Sequence, residues 1–499
     1  MENRYIYGAL VLVLLMVGCS RPASEGEARS ANMLSEQQCY QAASDVLFLP
    51  LVKGQECGVL AVRENPADNN SRDISLNILR LPAISASPHP DPLFILVGGP
   101  GQAAVALAGE LNFFNDVRKH RDLIFIDQRG TGKSGAFACH QNSESLPHHE
   151  TSESLQQKVL AELRACAEKH AAHMPFYTTP FAVADLDAVR RALGYERINL
   201  WGVSYGTRVI LEYLRRYPEQ VRTAVLDGVA PAGMNLLQSF AEDGARSLQL
   251  LSEQCLDQST CAERYGDISN QYEQLLARLA QQPARVTVPH PRTALPETVL
   301  VDRQKVEGLM RMAFYTRDLT RLVPWLIHQG ATDNFLPLAS LLILISEQDP
   351  LAIDHGMHYT VICNEDYPLA ATGRADSALA ALFDEVCSFW PKAELPSDYF
   401  APVVSDVPVL ILSGYRDPAT PPRWGERVAA SLSRSLHLVA PGGHHSVSRD
   451  GCIPQLIGRF IQTASPGNLD SRCVENIRAF APYLAITDPA ASQEGALQP

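Results

Sequence analysis

The sequence lacks an excess of basic residues and contains no basic run. Its 42 Lys and Arg residues stand against 55 Asp and Glu residues, which gives a formal net charge of -13. A chain this acidic lacks the positive surface that a phosphate backbone requires, so nucleic-acid binding is excluded. The sequence also has no repeat of solenoid period, and its 31 Gly and 34 Pro residues follow no period. Repeat arrays, collagen-like fibres and low-complexity chains are therefore excluded.

An apolar run near the start is too short to cross a bilayer. Ile6–Val17 are twelve mostly apolar residues that follow Arg4, whereas a membrane-spanning helix needs about 20. Such a run is typical of the apolar region of a secretion signal. We therefore expect residues 1–18 to be a signal peptide and the protein to be exported.

The signal leads into Met16-Val17-Gly18-Cys19. Small residues before a cysteine resemble the lipobox of bacterial lipoproteins, in which the cysteine is acylated and becomes the new N-terminus. We expect Cys19 to carry a lipid anchor and the polar residues 19–38 to form a flexible tether. Ser20, rather than Asp, after the cysteine is compatible with sorting to the outer membrane, on its periplasmic side. The alternative is a plain secretion signal with Cys19 near the cleavage point.

Ten cysteines remain beside Cys19, an even number that indicates disulfides in an exported protein. No CxxC pair and no Cys/His cluster has the spacing of a zinc site, so we expect neither a metal nor a cofactor. Pairing neighbours in the sequence closes short loops, each worth about 3 kcal/mol in the loop-entropy model. The predicted pairs are Cys39–Cys57, Cys139–Cys166, Cys255–Cys261, Cys363–Cys387 and Cys452–Cys473.

Short β-branched apolar runs alternate with helical patterns, which predicts an α/β fold with a mainly parallel sheet. A helix is indicated from Thr179, with Pro180 at its first position and Gly194 at its end, and a second over about 206–217. The predicted strands are Val59–Val62, Ile74–Leu79, Leu93–Val97, Leu123–Asp127, Ile198–Val203, Thr223–Asp227, Val407–Ser413 and Leu436–Ala440.

The alternation stops between about 232 and 400, where no strongly alternating strand run interrupts four helical patterns. We therefore predict a helical cap at 232–400, inserted between two parts of the core at 39–231 and 401–485, and a disordered tail at 486–499. The helical patterns of the cap are Leu248–Leu256, Gln271–Leu279, Lys305–Phe314 and Ser377–Phe389.

The strongest chemical signal is Gly202-Val203-Ser204-Tyr205-Gly206, a G-x-S-x-G between a predicted strand and a predicted helix. This context is that of a nucleophile elbow, a sharp turn that exposes the serine oxygen at the end of the strand. The glycines let neighbouring backbone pack closely, and the Tyr205 N–H can face a developing oxyanion. Ser204 is therefore the predicted nucleophile.

A serine nucleophile needs a base that an acid orients, and in this fold the order is Ser, acid, His. Asp417 follows the predicted strand Val407–Ser413 and is the preferred acid; the alternative is Asp227, which we interpret as a loop or capping residue. Two adjacent histidines follow the last strand. His444 is preferred as the base because it comes directly after glycine, and His445 is the alternative.

Two glycine-rich segments accompany these residues. Gly98-Gly99-Pro100-Gly101 follows a predicted strand, where this fold supplies its second oxyanion donor, and Gly99 is the candidate. Asp127–Ser134 ends in GKS, but Asp127 stands where a phosphate-binding loop needs Gly, so ATP binding is excluded. We expect Asp127 and Arg129 to brace this loop through ion pairs and hydrogen bonds.

The segments GGPG, DQRGTGKS, GVSYGT, GYRDPATPP and GGHH occur in this order. Together they resemble the prolyl aminopeptidase and tripeptidyl aminopeptidase family of serine peptidases with the α/β-hydrolase fold. The chain is most similar to the secreted tripeptidyl-aminopeptidase-like branch, where a cysteine pair follows the histidine, as Cys452 and Cys473 do here. The resemblance covers about 55–485. Val97 stands where prolyl aminopeptidases have His, which weakens an expectation of strict proline specificity.

The resemblance implies an exported serine aminopeptidase that acts on peptides through a triad and an acyl-enzyme. Carboxylates would bind the α-ammonium group, and Glu365 and Asp366 are the candidates; the alternative is that both are solvated surface acids. A carboxylesterase or lipase on the same fold is a second hypothesis, because the same triad cleaves esters. A catalytically inactive hydrolase fold that only binds is a third.

Overall fold

A computed structural model of the chain describes residues 32–34, 54–110, 112–137, 139, 147–348, 353–372 and 378–484. Residues 1–18, Cys19 and 486–499 lie outside these ranges, so the predicted signal peptide, lipid site and tail stay predictions. Within the described residues, no helix combines the length and the apolarity that crossing a membrane requires.

The sheet has nine strands in the order β1-β2-β3-β5-β4-β6-β7-β10-β11. The six strands from β5 to β11 in this order run parallel, and β1, β2 and β3 are antiparallel to their neighbours. All eight predicted strands are confirmed. The strands are β1 (Asn32–Leu34), β2 (Glu56–Arg63), β3 (Asp73–Leu81), β4 (Leu93–Leu96), β5 (Leu123–Ile126), β6 (Ile198–Val203), β7 (Val221–Asp227), β8 (Ala284–Pro289), β9 (Pro296–Val301), β10 (Val409–Gly414) and β11 (Ser435–Ala440).

Helices cover both faces of the sheet, so its central strands are buried on both sides and read as continuous apolar runs. Successive residues point to opposite faces: Leu200 packs in one core cluster with α3 and α4, and Trp201 packs in the other with α15. The helices are α1 (Asn115–Arg118), α2 (Ser152–His170), α3 (Thr179–Ala192), α4 (Tyr205–Arg216), α5 (Leu236–Asp257), α6 (Ser259–Tyr265), α7 (Ile268–Gln281), α8 (Arg303–Phe314), α9 (Arg317–Thr320), α10 (Val323–Ala331), α11 (Leu336–Gln348), α12 (His355–Val361), α13 (Ala378–Phe389), α14 (Pro422–Ala429) and α15 (Ile453–Thr463).

The chain between β7 and β10 builds its own apolar cluster from α5, α7, α8, α10 and α11. The prediction of a purely helical cap at 232–400 needs a correction, because β8 and β9 pair within it as an antiparallel hairpin. Side chains of β8 alternate between half-buried and exposed positions, with Val288 the buried exception. The hairpin packs on α11 of the same cluster, and that tertiary packing stabilises it.

Four of the five predicted disulfides are present: Cys139–Cys166, Cys255–Cys261, Cys363–Cys387 and Cys452–Cys473. Cys39, the partner predicted for Cys57, lies outside the described residues.

The predicted tether at 19–38 needs one correction, because Asn32–Leu34 pairs with Cys57–Val59 as β1. The physical reason is that the edge of β2 offers unpaired backbone groups, which a passing segment satisfies by adding a strand.

The loop that follows β5 is braced by Asp127 and Arg129, though by separate partners. Asp127 accepts hydrogen bonds from the Asn77 amide and the Val105 N–H. Arg129 forms a two-pronged ion pair with Asp185, with both N–O distances 2.7 Å. The loop is thereby attached to β3 and α3, which confirms the bracing role expected of both residues.

Candidate active site

Ser204 lies on a sharp turn between β6 and α4. Its backbone has φ 55° and ψ -124°, a conformation that L-residues rarely adopt and that surrounding structure must enforce. A Cβ at Gly202 would lie 2.6 Å from the Gly206 carbonyl oxygen, and one at Gly206 would collide with the Leu96 carbonyl. Only glycine fits at either position, so the strand–turn–helix expected of G-x-S-x-G is confirmed.

The carboxylate of Asp417 lies in the loop after β10 and is fully buried. It accepts hydrogen bonds from the Ala419 and Thr420 N–H groups, both at 2.8 Å, and from the Thr420 hydroxyl at 2.7 Å. His445 completes the set, with its Nδ1 2.9 Å from Oδ2 of Asp417. Burial alone would raise the pKa of the Asp417 carboxyl, but His445 and the donated hydrogen bonds hold it below its usual value.

The choice of His444 as the base is wrong, because its ring faces away from Asp417. Its Nδ1 lies 2.9 Å from the carbonyl oxygen of Phe314, at the end of α8. Burial lowers the pKa of His444 to about 4, so the neutral ring donates its proton to that carbonyl. In GGHH it is the second histidine that contacts the acid.

Asp227, the alternative acid, anchors the loop that carries His445. Its buried carboxylate accepts hydrogen bonds from the Ser446 hydroxyl, the Val447 N–H and both the N–H and the hydroxyl of Ser448, at 2.6–3.0 Å. These contacts agree with the interpretation of Asp227 as a loop residue. Asp417, and not Asp227, contacts the imidazole.

The glycine loop after β4 lies against Ser204. A Cβ on Gly98 would come within 3.1 Å of the Ser204 Cβ, so a side chain at this position would crowd the serine. Gly98, Gly99, Ser204, Tyr205 and His445 line one pocket. The N–H of Tyr205 belongs to the first turn of α4, where backbone donors have no partner within the helix. Both predicted oxyanion donors thus border the pocket that Ser204 and His445 share.

The cap contributes the opposite wall of this pocket. Tyr315 packs edge-on against the His445 ring, with 4.8 Å between ring centroids. The sequence offered no motif for these residues, because apolar side chains on a cap helix have the same pattern whether they face a core or a cleft. The pocket-lining residues of the cap are Leu236, Phe240, Tyr315, Ile353, Ile362 and Asp366.

Glu365 and Asp366 are both buried, so neither is a solvated surface acid. Glu365 is fully buried and does not line the pocket; the prediction that it binds substrate directly is wrong. Its carboxylate accepts hydrogen bonds from the N–H and hydroxyl of Thr179, both at 2.7 Å, and thereby caps the first turn of α3. Asp366 does line the pocket, and Arg208 donates to its two oxygens at 2.7 and 3.0 Å.

Within the described ranges, no group of three His, Cys, Asp or Glu side chains is placed to hold a metal ion. The pocket therefore offers a serine, an oriented imidazole, backbone donors and a carboxylate at its wall. This set fits acyl transfer to a serine, which needs a nucleophile, a base and oxyanion donors.

Comparison with known proteins gives the family of the chain and its relatives. A family model described as alpha/beta hydrolase fold matches residues 91–450. Serine protease Hip1 of Mycobacterium tuberculosis is 24% identical over 509 aligned residues, which cover 91% of this chain and 95% of that protein. Tripeptidyl aminopeptidase of Streptomyces lividans is 29% identical over 193 residues, 36% of each chain.

Among solved structures, a proline iminopeptidase from Mycobacterium smegmatis aligns with 81% of this chain and 98% of its own, at 16% identity and a TM-score of 0.39. The family model spans well over half of the sequence. The chain therefore belongs to the α/β hydrolase fold family, and peptidases are among its relatives.

Proposed function

We propose that the protein is an exported serine aminopeptidase that cleaves peptides near their free N-termini, with Ser204, His445 and Asp417 as its triad. The observation that carries the proposal is the geometry of one pocket. Ser204 projects into it from a strained turn, and His445 borders it with Nδ1 on the buried Asp417. The peptidase names of the relatives support an amide, rather than an ester, as substrate.

Each residue then has a defined role in the reaction. The Ser204 hydroxyl attacks the scissile carbonyl while Nε2 of His445 takes its proton, and Asp417 orients the ring through Nδ1–H. The N–H groups of Gly99 and Tyr205 donate to the oxyanion of the tetrahedral intermediate. His445 returns the proton to the leaving amine, which leaves an acyl-enzyme on Ser204. Water, activated by the same imidazole, releases the acyl group and restores the serine.

Asp366 is the carboxylate that we assign to the substrate's ammonium group. It lines the pocket and belongs to a buried cluster in which Glu365 and Asp366 share the single guanidinium of Arg208. Asp366 is the carboxylate of this cluster that borders the pocket, so it is the one that the α-ammonium of a bound peptide would reach, beside Arg208. Burial raises the pKa of Glu365, because Arg208 and the donated hydrogen bonds offset only part of the desolvation.

Replacing Ser204 or His445 by Ala should lower kcat by about 10⁶, the scale seen when a triad nucleophile or base is lost. His444→Ala should retain most of the turnover and lose thermal stability instead, because that ring bonds to Phe314 at the cap. Steady-state kinetics on a peptidyl amide, together with melting temperatures, would compare the three variants. A severe loss in His444→Ala with a mild one in His445→Ala would assign the base to His444.

The pH profile should show an acid limb set by His445. Burial by itself would lower the pKa of this imidazole, but Asp417 raises it above 6.5. Since the base must be neutral, kcat/KM should fall as the pH drops through this raised pKa. Asp417→Asn removes the carboxylate that raises the pKa, so the limb should move to lower pH and turnover should drop by about 10⁴. An unmoved limb in Asp417→Asn would contradict the pairing.

Peptides with a free N-terminus should be cleaved at least about 30-fold faster, in kcat/KM, than their N-acetyl counterparts. The reason is the cost of ~2 kcal/mol or more when one partner of a buried charge pair is missing. Asp366→Asn should raise KM for the free peptide and lower the ratio of kcat/KM between the free and the N-acetyl peptide. Glu365→Gln is the matched control, which should affect stability and keep the preference.

The esterase alternative is tested in the same assay with p-nitrophenyl esters. If the wild type shows no preference for free amines, the aminopeptidase assignment falls and an esterase or endopeptidase takes its place. If the preference exists and survives Asp366→Asn, the enzyme class stands and the ammonium site lies elsewhere in the cap.

We also propose that the protein is a periplasmic lipoprotein anchored to the outer membrane through Cys19. The support is the Met16–Cys19 segment and the polar residues that follow it. Cys19→Ser should abolish incorporation of radiolabelled palmitate in the producing cell and leave catalysis unchanged. Mass spectrometry that finds an unmodified N-terminus within Ser20–Gln38 of the wild type would refute the anchor.

A further inference from the structure

The glycine loop that carries Gly99 is held from the cap side by the segment 353–358. The N–H of Asp354 donates to the carbonyl of Gly101 at 2.9 Å. Ile353 forms an isolated antiparallel bridge with Gln102. Nδ1 of His358 lies 2.9 Å from the carbonyl oxygen of Pro100. Three consecutive residues of the loop, 100–102, are thus each attached to this segment.

The imidazole of His358 donates a hydrogen bond to the Pro100 carbonyl. Burial lowers its pKa to about 4, so the ring is neutral at neutral pH and carries one N–H. Because a carbonyl oxygen only accepts, that N–H is on Nδ1 and is used on Pro100. The ring is further fixed by its edge-on contact with Tyr359, 5.1 Å between centroids.

The segment that presents His358 is itself rigidly seated. Met357 and Val361 of α12 are fully buried in the core cluster on one face of the main sheet. Asp354, the residue directly before α12, accepts a hydrogen bond from the Gly132 N–H at 2.7 Å with its Oδ2. The loop 98–102 is therefore tied to an element that is packed against the core and also attached to the loop after β5.

This support matters because the loop is rich in glycine. Gly99 has φ 108° and Gly101 φ 106°, and glycine leaves such a backbone many alternative conformations. An oxyanion donor is effective only if it is oriented before charge develops, and removing one such donor costs about 10²–10³ in kcat. We propose that His358 is a positioning residue of the oxyanion hole, which holds the Pro100 carbonyl and through it the N–H of Gly99. The proposal rests on the serine mechanism proposed above.

The test replaces the imidazole of His358 by either of two amide side chains, Asn or Gln. The side-chain nitrogen of Asn occupies the position of Nδ1, whereas that of Gln occupies the position of Nε2 and cannot reach Pro100. His358→Gln should lower kcat on a peptidyl amide about 10- to 100-fold with KM within about twofold. His358→Asn should keep kcat within a few-fold of the wild type. A peptide boronate, whose adduct places an oxygen in the oxyanion hole, should bind the Gln variant more weakly by a factor similar to the loss in kcat.

Melting temperatures and His355→Ala, on the same helix, separate positioning from folding. His355→Ala should leave kcat and boronate affinity close to those of the wild type. Equal kcat in His358→Gln and the wild type would overturn the proposal, as would equal losses in the Asn and Gln variants or a rise in KM alone. Ser204→Ala and labelling by a fluorophosphonate test the serine mechanism itself. If the wild type is labelled and active but His358→Gln has the same kcat, only the role of His358 is overturned.

Discussion

Asp227 connects the two halves of the candidate catalytic centre. Its backbone carbonyl accepts a hydrogen bond from the Ser204 N–H at 3.0 Å. Its carboxylate accepts hydrogen bonds from the loop Ser446–Ser448. Burial removes the hydration of this carboxylate and raises its pKa. Four hydrogen bonds donated by the protein replace the lost water. The strained turn at Ser204 and the position of His445 both depend on this residue. It serves the chemistry by holding loops rather than by touching the imidazole.

The cap is connected to the nucleophile side of the core by a second buried network. Glu365 caps α3 through Thr179, whose hydroxyl also meets the phenol of Tyr205 at 2.8 Å. Arg208, one turn into α4, pairs with Asp366. Removing one member of such a network leaves a buried charge without a partner, which costs far more than losing a surface ion pair. The cap therefore behaves as a structural part of the pocket wall, and its acids hold the helix of the nucleophile as well as bordering the cleft.

The two loops that border the pocket, one with Gly99 and one with His445, are also attached to cap segments through neutral histidines. His444 bonds to Phe314 on one side of the pocket, and His358 bonds to Pro100 on the other. Each pKa lies near 4, so neither ring gains charge at neutral pH and both bonds persist there. The pocket is consequently assembled from core and cap together, since the core supplies the candidate catalytic residues and the cap constrains the loops that carry them.

The sequence by itself determined the eight main strands, the turn at Ser204, four disulfide pairs and Asp417 as the acid beside an imidazole. Those features are local: apolar runs mark buried strands, glycines permit close backbone contacts, and nearby cysteines close short loops. The tertiary structure alone decided which histidine faces Asp417, that Glu365 caps a helix rather than bordering the pocket, and that β8 and β9 form a hairpin. The first depends on the direction of a side chain, and the second on a partner more than a hundred residues away, Thr179. The hairpin depends on its packing against α11. A pattern of residue types contains no such direction, and the packing of the cap on the core supplies it.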